Sequence, residues 1–187
     1  MSAVVNAVEG ARASEQLLVA APRRATSLAL VDLPDVLRVD VAEVVGGALE
    51  LLSVTRRLRG VQVSLDLPEE PVPANVSHRR LQQVLLLLLA HAADAANGQG
   101  VRVVVDAADD FGDEPPRFQV QIAGASLSAR ELQAVLLSPM LVGPLHRKLA
   151  RARELTESMG GTLAVSSAAK VGITVTVELP APGMSSW

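Results

Sequence analysis

The sequence predicts an α/β sandwich: a mixed, mostly antiparallel sheet covered on one face by helices. Three observations predict it. Val61–Leu67, Phe118–Ile122 and Ile173–Leu179 alternate apolar and polar residues, the pattern of strands with one buried face. Apolar segments between them carry helix starts at Asp40, Ser77 and Ser128, and helix stops at Gly60, Asn97-Gly98 and Gly160-Gly161. Their order is helix, strand, helix, two strands, two helices, two strands, which lets helices segregate to one side of a sheet.

Taken in order, residues 3 to 20 predict one helix, ended by Pro22 and Arg23-Arg24 and too short for a helical hairpin. Leu28–Val39, interrupted by Pro34, predicts an extended stretch and a turn. A helix capped by Asp40 runs to about Arg59, and the strand Val61–Leu67 leads into a turn at Pro68–Pro73. Ser77 caps a long apolar helix that ends at Asn97-Gly98 and Gly100. The strands at Val101–Val105 and Phe118–Ile122 flank an acidic, Pro-containing hairpin loop. Ser128 caps a helix through Leu137, another helix spans about Leu145–Met159, and strands at Thr162–Val165 and Ile173–Leu179 finish the fold. Pro180–Trp187 reads as a loose tail. These elements divide the chain into an N-terminal helix and linker (1–38), a domain (39–180) and a tail (181–187).

Composition narrows the function classes. A chain of 187 residues with 49% hydrophobic but only 2% aromatic content must build its core from Leu, Val and Ala. A net charge of -3 gives no reason to expect a nucleic-acid surface. The absence of cysteine excludes disulfides, thiolate metal sites and cysteine nucleophiles. The longest apolar run, Val84–Ala90, is far short of the roughly 20 residues that span a bilayer, and Met1–Ala20 lacks the pattern of a secretory signal. The expectation is a cytoplasmic protein with no membrane or nucleic-acid partner.

The run Leu81-Gln82-Gln83-Val84-Leu85-Leu86-Leu87-Leu88-Leu89-Ala90-His91-Ala92-Ala93-Asp94-Ala95 resembles the N box of histidine kinase ATP-binding domains, approximately L-R-Q-V-L-L-N-L-L-x-N-A-x-D-A. Two further stretches are similar to that family. Asp40–Val45 with Ala48–Leu52 looks like its first helix, and Leu149–Ala152 through Met159–Leu163 looks like the helix and strand after its glycine-rich lid. The resemblance covers Asp40 to Leu179 and implies the Bergerat-type ATP-binding fold shared by histidine kinases, gyrase and Hsp90.

The residues that would hold ATP and magnesium in that family are replaced here. Leu87 stands for the first asparagine of the N box and His91 for the second, which holds magnesium in the family. Mg²⁺ takes oxygen ligands in near-octahedral geometry, which an amide carbonyl supplies and an imidazole does not. In place of the family's D-x-G-x-G box the chain has Ile122-Ala123-Gly124-Ala125-Ser126, keeping only Gly124. Isoleucine cannot accept the adenine amino hydrogen bond, and leaving such a group buried and unpaired costs about 1–3 kcal/mol. The second glycine box, G-x-G-L in the family, corresponds to His146-Arg147-Lys148-Leu149, and only Ser138–Leu145 separates it from the preceding helix. Side chains therefore occupy positions where backbone amides would cradle phosphate.

These positions, Leu87, His91, Asp94, Ile122, Gly124, Ser126, His146 and Lys148, form a vestigial nucleotide pocket in this reading, with no catalytic residue and no metal. Leu87 lies one helical turn before His91 and on the same face, and its expected neighbour is Ile122. His91 is expected as a partly exposed histidine at the rim of a closed pocket. Asp94 lies three residues on, on the same face, but two ligands make no metal site. Arg147 and Lys148 read as a solvated basic turn. His78 reads as a surface residue in the first turn of its helix, and Asp109-Asp110 with Asp113-Glu114 as a solvated acidic loop.

The expected function is a non-catalytic, nucleotide-binding-deficient histidine kinase-like domain, without cofactor, that contacts other proteins in two-component signalling. A kinase, a response regulator or a second copy docking through the N-terminal helix are the partners the resemblance implies. Two alternatives stay open. One is an active but divergent ATP- and Mg²⁺-dependent histidine kinase or anti-sigma-type serine kinase. The other is a histidine phosphotransferase with a discarded ATP site, disfavoured because no histidine precedes His78.

Overall fold

Asp40 joins the first strand to the first helix. Its carboxylate accepts from the Ala42 amide (3.0 Å) at the helix N-terminus and from the Val72 amide (3.0 Å), so one side chain caps the helix and ties it to the chain 32 residues on. The computed structural model describes residues 36–108, 114–137, 141–168 and 171–182. The helix expected at 3–20, and with it the docking segment, lies outside the described residues.

Strand β1 (Val36–Asp40) leads into α1 (Val41–Val54), which buries Val41, Val44, Val45, Ala48, Leu49 and Leu52. The helix stops at Val54 rather than Arg59 because Arg56 takes a left-handed φ of 57°, closing the helix with a turn. Strands β2 (Gln62–Asp66) and β3 (Pro73–Ser77) follow. β3 was not expected from the sequence. It is five residues long and begins at a proline, which is tolerated only at a strand start or edge. It pairs antiparallel with β1 in a two-stranded ribbon, additional to the main sheet.

Helix α2 (His78–Ala95) begins at Ser77, whose hydroxyl accepts from the Arg80 amide at 3.4 Å. It buries Leu81, Val84, Leu85, Leu88, Leu89, His91, Ala92 and Ala95. Asn97 and Gly98, at φ 46° and 83°, reverse the chain into β4 (Gly100–Asp106). β5 (Arg117–Ile122), α3 (Ala129–Leu137), a 3-10 turn (Pro144–His146), α4 (Arg147–Glu157), β6 (Thr162–Ala168) and β7 (Gly172–Glu178) complete the order. The helix expected over Leu145–Met159 is thus a 3-10 turn followed by a shorter α-helix.

The main sheet has the order β2-β4-β5-β7-β6. β2 and β4 run parallel and the other pairs antiparallel, the mixed sheet expected. Burial alternates along the central strands: Val101, Val103 and Val105, then Phe118, Val120 and Ile122, then Ile173, Val175 and Val177 are all buried. These residues form one face, with α2 and α4 packed toward it. Full burial of each such side chain contributes about 1.5–3 kcal/mol, so an aliphatic core can hold this fold despite the scarcity of rings.

Candidate functional site

The positions that resemble a nucleotide site lie on α2, the end of β5 with its following loop, and the turn entering α4. Ile122 is the last residue of β5 and has no exposed surface. Its register partners are Val101 on β4 and Ile173 on β7, both buried, so apolar residues flank it on either side. Gly172 reaches the Ile122 carbonyl so closely, at φ 107°, that a Cβ there would overlap the oxygen. Leu87 on α2 is half-buried and packs against the same core.

After Ile122 the chain turns through Gly124 at φ 68°, which is exposed, as is Ser126. The space a Cβ at Gly124 would take is filled by the Gln99 side-chain amide. The loop is fixed at both ends: the Ala123 amide donates to the Gly100 carbonyl (3.0 Å), and the Leu127 amide donates to the Ser167 hydroxyl (2.9 Å). Ser128 and Glu131 then form a capping box. Glu131 accepts from the Ser128 amide (2.9 Å) and hydroxyl (2.6 Å), while the Ser128 hydroxyl accepts from the Glu131 amide (3.3 Å). These bonds, with His146 nearby, hold the Glu131 carboxyl below the usual carboxylate range.

His91 departs from its expected place. It is wholly buried, not partly exposed at a rim. The Leu141–His146 segment lies against α2, and the Leu145 carbonyl oxygen is 3.2 Å from His91 Nδ1. Only an N–H can donate to a carbonyl, so Nδ1 carries the proton and Nε2 holds the lone pair. The His146 ring meets the His91 ring edge to face, with centroids 5.4 Å apart and planes at 70°. Burial, and then the neighbouring His146, push the His91 pKa down from 6.5 to about 4, so the ring is neutral near pH 7.

His146, at the start of the stretch that stands for the second glycine box, is also buried. Its Nε2 lies 3.5 Å from a Glu131 carboxylate oxygen. Arg147 is exposed as expected, whereas Lys148 is partly covered and pairs with Asp94. The pair spans from α4 to α2 beside His91. Four expected residues, His91, Asp94, His146 and Lys148, are therefore brought together, while Gly124 and Ser126 stand on the separate loop after β5. Gln99, Glu131 and Leu145 also belong to this region. None carries a motif signal, although the Ser128-x-x-Glu131 spacing marks the capping box that positions Glu131.

His78 is exposed at the start of α2, where a surface residue was expected. No group of three or more metal-ligating side chains occurs among the described residues. Among the described residues two cavities stand out. One, of about 400 Å³, lies beside Arg38, Asp40, Glu70 and Pro71; the other, of about 180 Å³, lies between α3 and the Leu141–Gly143 stretch, with Glu131 and His146 in its wall. Neither is lined by Leu87, Ile122 or Gly124. No helix among the described residues is long and apolar enough to cross a membrane.

The mixed sheet with its helices on one face is the architecture also seen in solved ATP-binding domains of histidine kinases. Residues 77–183 match the family model for histidine kinase-, DNA gyrase B- and HSP90-like ATPases, and the chain belongs to that family. Solved structures agree on the fold. A mycobacterial sensor histidine kinase, MprB, is similar over 78% of this chain and 97% of its own, with 21% identity and a TM-score of 0.63. The catalytic domain of the histidine kinase ThkA, in a nucleotide-free form, aligns over 78% of this chain and 97% of its own, at 16% identity and a TM-score of 0.63. The Acinetobacter baumannii histidine kinase AdeS aligns over 84% of this chain and 75% of its own, at 18% identity and a TM-score of 0.62. Comparison with proteins of curated function returns no match.

Proposed function

We propose that this domain has lost nucleotide binding and acts through protein contacts in two-component signalling. One observation carries the reading: His91, at the family's magnesium position, is fully buried and engaged by the Leu145 carbonyl and the His146 ring. A neutral imidazole in that setting offers magnesium no oxygen ligand. Ile122, at the position of the adenine-binding aspartate, is buried with no hydrogen-bonding group on its side chain. Of the two cations near the expected phosphate position, Lys148 is paired with Asp94 and Arg147 is exposed on the surface. The residues present do not fit ATP with magnesium.

The proposed partners are those of the signalling class: a kinase, a response regulator, or a second copy of the chain, with residues 1–38 as the docking segment. The proposed setting is the cytoplasm. A ligand that binds only the folded state raises its stability by RT ln(1 + [L]/Kd), about 2.7 kcal/mol at a hundredfold excess over Kd. A thermal-shift titration with Mg-ATP and Mg-ADP is expected to leave the melting temperature unchanged. A magnesium-dependent rise would overturn the proposal and favour a divergent kinase. Affinity capture with and without residues 1–25 then tests the docking segment, which is expected to be required for the partner.

A further inference from the structure

His91 and His146 place two ring nitrogens, His91 Nε2 and His146 Nδ1, in the interior with no hydrogen-bond partner among the described residues. For His91 the tautomer is set, because Nδ1–H donates to the Leu145 carbonyl. Nε2 is therefore a bare lone pair buried without a partner, a smaller penalty than a buried charge. A proton there creates a buried cation whose new N–H has nothing to donate to, an arrangement that interiors strongly disfavour.

The charged groups around the ring do not rescue it. On α2 itself Asp94 favours the protonated form, but Lys148 on α4 opposes it, and the two are paired with each other. His146, in the 3-10 turn, opposes a positive charge on its neighbour. Glu131 on α3 faces His146 and not His91. β5, which packs against α2, ends in Ile122, which has no charge.

What holds the Leu141–His146 segment down is correspondingly small. Val142 and His146 are its buried residues, while Leu141 and Leu145 are 78% and 50% exposed. A solvent-open cavity of about 180 Å³ lies against Leu141, Val142, Gly143 and His146 on the side facing α3, so that side of the segment is not covered by that helix.

We propose that the His91–His146 pair is a proton-operated latch: neutral, it holds the Leu141–His146 segment on α2, and protonation of His91 releases that segment and uncovers the α2 face beneath. The structure shows the closed state. In the closed state the Leu145 carbonyl and the His146 ring are seated on His91; in the open state water solvates the imidazolium. Opening is thus driven by differential proton affinity, not by loss of the whole fold. The latch rests on the reading that His91 fills the old nucleotide site. Nucleotide titration at neutral pH tests that reading without moving the latch, so the two can fail separately.

Amide hydrogen exchange of the full chain, read by mass spectrometry and corrected for the intrinsic pH dependence, tests it. With His91 at about 4 in the closed state and 6.5 in the open one, linkage raises the opening equilibrium roughly twentyfold between pH 7 and pH 5. Peptides covering residues 141–149 are expected to lose protection by that factor while the β5 peptide keeps its own. His91→Phe, which cannot titrate, is expected to abolish the pH dependence, and His91→Asn, whose side-chain amide N–H takes the place of Nδ1–H toward the Leu145 carbonyl, provides the same test should the phenyl ring disturb folding. Equal loss of protection in β5, or a pH response that survives in the variant that folds, would overturn the proposal.

Discussion

Truncating Ile122 asks whether the old adenine wall has become core. Ile122 has no exposed surface, sits between Val101 and Ile173, and has its carbonyl pressed against Gly172. Both flanking strands are hydrogen-bonded along their length, so the backbone has little freedom to collapse into a void left by a smaller side chain. For such sites Ile→Val costs about 0.5–1.5 kcal/mol and Ile→Ala about 2–5 kcal/mol, the spread reflecting how far the surroundings relax. The expected values are about 1 kcal/mol for Ile122→Val and the upper half of the Ala range for Ile122→Ala. Ile122→Asp, which restores the family's residue type, should cost at least as much as Ala, since it adds a carboxylate to a buried apolar site. Urea denaturation at pH 7.5, with a fixed m-value, measures all three. A loss below about 1 kcal/mol for Ile122→Ala would show that the side chain lines open space and would refute the argument from packing.

Other expectations follow from the same geometry. Between pH 6.5 and 4 the unfolded chain binds a proton at His91 that the closed fold does not, so stability is fully present above 6.5 and falls as pH drops toward 4. The ceiling on that loss is about 3 kcal/mol; urea midpoints across this window should fall in the wild type and fall less in His91→Phe. Gly172→Ala combines a left-handed φ with overlap at the Ile122 carbonyl, and should lower the melting temperature well beyond an ordinary surface change. Ser128→Ala removes the capping-box hydroxyl of α3 and should cost about 0.5–2 kcal/mol in chemical denaturation. Lys148→Ala, at a partly exposed ion pair, should change stability by at most about 1 kcal/mol, an effect that salt diminishes.

Much of the fold was legible because local rules and burial agree. The alternation in Phe118–Ile122 and Ile173–Leu179 marked strands whose buried face the structure confirms, and Ser77, Asp40 and Ser128 stand at the helix starts they predicted. β3 was not legible, because a short strand opening at Pro73 carries too few alternating positions to separate it from the preceding turn. The end of α1 was placed late because Arg56, a residue with no turn signature, takes the left-handed conformation.

The site was legible as positions and not as environment. The resemblance identified His91 and His146 as replacements, yet the burial of both depends on the Leu145 carbonyl and on a ring contact between segments 54 residues apart or more. Sequence separation of that size leaves no periodic trace. Gln99 over Gly124 is likewise a tertiary contact, with the glycine conserving the backbone shape while a side chain from the loop before β4 takes the space beside it. The Asp94–Lys148 pair is of the same kind, joining α2 to α4 across their packed faces.

The central claim is that the buried His91 and Ile122 exclude nucleotide. Calorimetric titration of the full chain with ATP and ADP at pH 7.5, each with and without magnesium, tests it most directly. The account predicts no saturable binding under any of the four conditions. Saturable, magnesium-dependent binding of ATP would contradict it.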